Sequence, residues 1–183
     1  FGEDMWTVNH SGLAYSDDNG ATWVRSDVKW DANSNFVQAA LLRDNGYVYM
    51  YGAPAGRISE GEQYVKLARA AEAEMATQGG WKYWNGSDWA ADASAAVPLV
   101  YAGTLGELSV IKNQTTGRYL MIYSSIKRDA IVIRDSAAPE GEWSGEKIVY
   151  VDAADEILSA PSFLPVSAEG NTVYFLMSSA WGE

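Results

Sequence analysis

Ser16-Asp17-Asp18-Asn19-Gly20-Ala21-Thr22-Trp23 is the stretch on which the fold of this chain turns. It sits between two short strand-like runs, residues 12–16 and 22–26. Gly20 tolerates the positive φ of a tight turn, and the oxygens of Ser16 and Asp18 suit bonding to turn amides. The spacing predicts a β-hairpin whose returning Trp23 packs between neighbouring sheets.

Working outward, the same grammar recurs. Asp44-Asn45-Gly46 precedes Tyr47-Val48-Tyr49-Met50-Tyr51, Thr116-Gly117 precedes Arg118-Tyr119-Leu120-Met121-Ile122-Tyr123, and Glu169-Gly170-Asn171 precedes Thr172-Val173-Tyr174-Phe175-Leu176-Met177. Each is a turn signal followed by a β-branched or aromatic run. The runs before them, residues 36–42, 108–112 and 162–166, read as their partner strands. Third runs follow the first two hairpins at residues 64–70 and 130–136, then Trp-bearing fourth runs at 81–84 and 143–150. Trp23, Trp81 and Trp143 are spaced by 58 and 62 residues. Four short antiparallel strands per repeat predict an all-β chain built as a β-propeller, with long loops enlarging a blade of about 40–50 residues. The chain divides into a half blade at 1–35, full blades at 36–100 and 101–155, and a half blade at 156–183. Together they read as a single propeller domain of three blade equivalents, which would be incomplete by about two if the ring has five blades. Tyr64, Leu67, Ala68, Ala71 and Met75 also fit a helical period. A strand to about Ala70 followed by a short helical loop is the preferred reading, with a continuous helix as its rival.

Composition narrows the chemistry. The 183 residues hold 13 basic and 24 acidic side chains, a net charge of −11, with one histidine and no cysteine. Disulfides, thiol nucleophiles and zinc-finger sites are excluded, as is a two-histidine metal motif. A serine–histidine triad would need His10, and no G-x-S-x-G elbow accompanies it. The acidic balance argues against nucleic acid as partner, no apolar run is long enough to span a membrane, and no cofactor or metal is expected. The 13% aromatic content suits half-buried strands and stacking on sugar rings. Phe1 opens the chain without a leader segment, which fits a start partway through a longer protein.

The 16–23 stretch matches S-x-D-x-G-x-T-W, the Asp box of sialidase-like propellers, whose role there is structural. The segments Trp6 to Ser16, Tyr47 to Arg57, Val65 to Arg69, Gly106 to Val110, Ala138 to Trp143 and Tyr174 to Ser179 resemble a five-bladed propeller family first catalogued as a domain of unknown function. That family includes bacterial endo-D-arabinanases. The resemblance covers nearly the whole chain but lacks the family's earliest-blade segments. It implies a glycoside hydrolase, secreted or in the bacterial cell envelope, acting on arabinan or a related cell-wall polysaccharide. A non-catalytic carbohydrate-binding propeller is the alternative, and a protein-interaction platform a third possibility without a motif in its favour.

Glycoside hydrolysis without a cofactor needs two carboxyl groups, roughly 5–5.5 Å apart for retention or 6.5–9.5 Å for inversion. Glu107 follows Gly106 at the start of a strand that a propeller would place at its channel, and it is the candidate general acid or base. Its plainer alternative is a carboxylate bonding a neighbouring loop. The second carboxylate stays open among Glu3, Asp4, Asp155, Glu156 and an absent blade. Arg57, Trp6, Asn9, His10 and Tyr51 are the candidate substrate contacts. Arg57 would offer a fork of donors or a loop-tying ion pair, Trp6 a stacking face and Asn9 hydroxyl contacts, with His10 hydrogen-bonded rather than transferring protons. Trp81, Trp84, Trp89 and Trp143 read as packing residues.

Overall fold

The computed structural model describes residues 8–54, 63–151 and 156–181. Among these there is no α-helix; every sheet is antiparallel, and the chain builds four of them in sequence order. The first is the hairpin of β1 (His10–Tyr15) and β2 (Val24–Asp31). Its turn is closed by side chains. The Ser16 hydroxyl donates to Asp18 Oδ1 at 2.7 Å and accepts the Gly20 amide at 2.8 Å. Asp18 in turn accepts the Thr22 amide (2.8 Å) and hydroxyl (2.6 Å). Asn19 and Gly20 take φ of 57° and 87°, as the sequence requires. Trp23 departs from expectation: it is 68% exposed, with Cζ2 over Gly20, and does not pack between sheets. The turn's own hydrogen bonds hold it without help from the indole.

The second sheet runs β3 (Gln38–Asp44), β4 (Tyr47–Ala53), β5 (Gln63–Ala71), β6 (Lys82–Trp84) and β7 (Trp89–Ala90). Asn45 and Gly46, both at positive φ, form the two-residue β3–β4 turn that Asn-Gly encodes. β5 is a strand followed by single 3-10 turns at Glu72–Glu74 and Gln78–Gly80, so the helical rival fails. Its Val65, Leu67, Ala68 and Ala70 are buried while its backbone pairs with β4, β6 and β8 (Val100–Gly103). β8 falls across the boundary between residues 100 and 101 and belongs by pairing with the second sheet.

The third sheet is β9 (Leu105–Lys112), β10 (Tyr119–Ser125), β11 (Ala130–Ser136) and β12 (Lys147–Val151); the fourth is β13 (Glu156–Phe163) with β14 (Phe175–Trp181). Residues 162–166 were expected to be one strand. Instead β13 ends at Phe163 and a 3-10 turn spans Pro165–Ala168, because proline fixes φ and cannot donate to the ladder.

Adjacent sheets share cores. Trp30, Phe36, Met50, Trp81 and Tyr83 fill the space between the first and second sheets, with the Trp30 indole N–H bonded to the Tyr83 hydroxyl at 2.8 Å. Tyr51, Val65, Leu67, Met121, Tyr123 and Trp143 lie between the second and third, and Ile122, Ile131, Leu158 and Phe163 between the third and fourth. The first strands of the second, third and fourth sheets are neighbours, with β9 packed against both β3 and β13. Polar ties reinforce this stacking. Asp44, ending β3, accepts the Tyr119 hydroxyl at 2.6 Å and faces Lys112 Nζ at 2.9 Å. Buried Asn113 donates to the carbonyls of Ser167 (3.0 Å) and Gly170 (2.9 Å) in the β13–β14 connection.

Candidate functional site

A groove of about 300 Å³ opens where β9 meets β3 and β13, lined by Ala40, Leu41, Glu107, Ser109, Ala160 and Ser162 among others. Glu107 reaches it because the chain enters β9 through Gly106. A Cβ on Gly106 would stand 1.9 Å from the Ser124 hydroxyl, so only glycine lets β9 lie this close to β10. Opposite, β13 is bulged between Ser159 and Ser162. Ala160 adopts φ of 50° there, a left-handed conformation that costs a non-glycine residue about 1 kcal/mol or more. The bulge turns the Ala160 amide toward the groove, where it donates to Glu107 Oε2 at 3.1 Å. Two residues on, the Phe163 amide donates to Ser109 Oγ at 3.2 Å. A carboxylate is thus held at the junction of three first strands by a strained backbone donor. Such an arrangement fixes the direction of a group that must meet a ligand in the groove. Among the described residues that line it, Glu107 is the one titratable side chain.

The other sequence candidates are placed differently. Tyr51 is fully buried between the second and third sheets, stacked edge-on against Trp143 at 5.8 Å. Its hydroxyl donates to the Pro139 carbonyl at 3.3 Å. The structure thus uses it in packing between the two sheets; its aromatic run alternates too little to show that in sequence. Asn9 and His10 are exposed. His10 lines a separate cleft on the first hairpin with Arg25, Asp27 and Lys29, and the structure does not bring it to Glu107. Trp6 and Arg57 lie outside the described residues, as do Glu3, Asp4 and Asp155; of Glu156 only the backbone is described. Trp81 and Trp143 are buried, and Trp84 and Trp89 pack against the core that includes Tyr51, as expected of blade-packing residues. No three His, Asp or Glu side chains converge as metal ligands among the described residues, and no helix is long and apolar enough to cross a membrane.

Sequence reasoning passed over Ala160. Its only local signal is the following Pro161, which disfavours the right-handed helical region at the residue before it.

Comparison with known proteins adds three findings. A family model described as a domain of unknown function (DUF4185) matches residues 1–183. Two relatives are named for the notoamide biosynthesis cluster: protein J′ of Aspergillus versicolor, 32% identical over 96% of this chain and 49% of its own length, and protein J of Aspergillus sp. (strain MF297-2), 33% identical over 96% and 48%. The chain spans about half the length of these curated relatives. Among solved structures, an exo-β-1,3-galactanase from Phanerochaete chrysosporium, bound to β-1,3-galactotriose, superposes with a TM-score of 0.54. It is 17% identical and matches 94% of this chain and 37% of its own. The sialidase of Trypanosoma rangeli, in complex with the inhibitor DANA, gives 0.57 at 13% identity over 93% and 25%. At these identities the likeness is one of fold.

Proposed function

The chain belongs to the DUF4185 family, and from that membership we propose that it is the greater part of a carbohydrate-active β-propeller whose stacked sheets are blades and whose 16–23 turn is an Asp box. The observation that carries this reading is the placement of Glu107, a carboxylate fixed at the junction of three first strands in an open groove. Glycosidase structures that share the fold support it.

The activity proposed is endo-hydrolysis of arabinan or a related bacterial cell-wall polysaccharide by a protein that is secreted or held in the cell envelope. Water adds across the glycosidic bond: the leaving oxygen takes a proton, and the anomeric carbon takes hydroxide. Glu107 supplies the first proton or removes one from the water, and a second carboxyl group does the other task. A non-catalytic carbohydrate-binding propeller is the second reading. It is favoured by the fact that the described lining of the groove contains one carboxylate where hydrolysis needs two.

The test is product release from arabinan and other cell-wall glycans by the natural full-length protein and its Glu107→Gln variant. Loss of roughly 100- to 10,000-fold in rate is expected of a general acid or base. Cleavage undiminished by the substitution removes Glu107 from the chemistry, and binding without released oligosaccharide selects the second reading.

A further inference from the structure

A second cavity, of about 410 Å³, lies beside the β10–β11 turn and is lined by Tyr101, Gly103, Lys127, Arg128, Arg134 and Glu146. In a chain of net charge −11 it gathers three cations around one carboxylate. Arg134, on β11, is nearly buried and wholly engaged. Its Nε donates to the Tyr123 hydroxyl, and its two terminal nitrogens donate to the carbonyls of Ser144 and Tyr101, each at 2.8 Å. These three partners are neutral and fix the guanidinium in place; the carboxylate it faces, that of Glu146, it shares with Arg128. Glu146 is shared: Oε1 accepts the Tyr123 hydroxyl at 2.8 Å and lies 3.4 Å from Arg134, while Oε2 accepts Arg128 Nε at 2.5 Å.

Two donors remain uncommitted among the described residues. The terminal amino groups of Arg128 make no hydrogen bond, and Lys127 has no ion-pair partner; both residues are exposed at the mouth. Tyr101 adds an aromatic ring, 53% exposed and braced edge-on by Tyr64 with centroids 4.4 Å apart and hydroxyls 2.8 Å apart. An ion-pair network that served folding alone would need one cation for one carboxylate; here two surplus positive charges face an open polar cavity.

We infer that this cavity is an anion subsite, which takes a sugar bearing a carboxylate or phosphate with its acid group between Lys127 and Arg128 and its ring beside Tyr101. Guanidinium and ammonium donors match such groups, and a partly buried fixed charge nearby strengthens them. The subsite lies toward the same end of β9 as Glu107, since the Ile126 amide donates to the carbonyl of Thr104 at 3.1 Å. Its occupation does not depend on catalysis in that groove.

The test is calorimetric titration of the natural full-length protein with trigalacturonate, glucose 6-phosphate and neutral arabinotriose. At least one anionic sugar is expected to bind, and its affinity to fall roughly tenfold in Lys127→Ala and in Arg128→Ala, the loss of one charge-assisted contact. Lys29→Ala, an exposed lysine of the first sheet that lines a different cleft, should change it less than about twofold, since it makes no contact in the cavity. Uronate binding alone assigns a carboxylate, and sugar-phosphate binding alone a phosphate. Failure of both to bind, or affinities unmoved by Lys127→Ala and Arg128→Ala in variants that melt like the parent, overturns the inference and leaves the Glu107 assay unaffected.

Discussion

Removing the Asp44 carboxylate should loosen the second sheet from the third. Asp44 ends β3, and its partners, Lys112 and Tyr119, belong to β9 and β10. The Asp44 side chain is 9% exposed and that of Lys112 is 18%. Asp44→Ala leaves an ammonium without its counter-ion and a buried phenol without its acceptor, at a cost of about 3 kcal/mol. Asp44→Asn keeps an acceptor for Tyr119 and should cost about half as much. The double variant Asp44→Ala with Lys112→Met removes the orphan charge, so it should cost about 2 kcal/mol less than the sum of the single changes. Urea unfolding of the parent, the three single variants Asp44→Ala, Asp44→Asn and Lys112→Met, and the double variant, at fixed ionic strength and neutral pH, measures this directly. The reasoning also fixes an alkaline signature. Burial first, then the hydrogen bond to Asp44, pushes the Tyr119 hydroxyl up to about 12, and Lys112 is raised by its own hydrogen bond to Asp44. Both groups hold protons more tightly when folded, so stability is full below pH 10 and falls as pH rises from 10 through 12. The fall should be shallower in Asp44→Ala. A cost for Asp44→Ala below about 0.5 kcal/mol, or additive costs in the double variant, would show that the pair is effectively solvated and holds nothing together.

Gly106→Ala should destabilise the protein by about 2 kcal/mol through overpacking against Ser124. Adding Ser124→Ala removes the clashing hydroxyl, which has no hydrogen-bond partner among the described residues, and should restore most of the loss in thermal melts. No recovery would mean that β9 and β10 do not approach as described. At the 16–23 turn, hydrogen bonds from the Thr22 hydroxyl and amide, then from Ser16, lower the Asp18 carboxyl to about 2. The turn's contribution is therefore present above the ordinary carboxylate value and lost as pH falls through about 2. The Thr22 amide shift should follow that midpoint in an NMR titration, and a midpoint near 3.8, the unperturbed value, would refute the bonding pattern.

What the sequence revealed and what it hid divide along a physical line. The turns at Asn45-Gly46 and Asn19-Gly20 were legible because positive φ is a demand on single residues. β5 was legible less directly: its residues satisfy two periods, and pairing with three other strands decides for the extended one. Glu107 was found through the glycine before it, yet the amide that holds it comes from Ala160, 53 residues away. Arg134, Glu146 and Tyr101 carry no local signal in the sequence, because their cluster exists only once β8, β10 and β11 are assembled. Tyr51 was ambiguous for the converse reason. A tyrosine that stacks on a sugar and one that seals two sheets look alike until its neighbours are known.

Each sheet is drawn from one uninterrupted length of chain, residues 10–31, 38–103, 105–151 and 156–181. During synthesis the ribosome therefore releases whole sheets in order. The third takes several seconds to emerge at roughly 5–20 residues per second, while a hairpin closes in about 1–10 μs. Backbone pairing can finish inside each sheet long before its outer face meets the next. Within residues 10–181 each newly emerged sheet carries the apolar face that its successor covers.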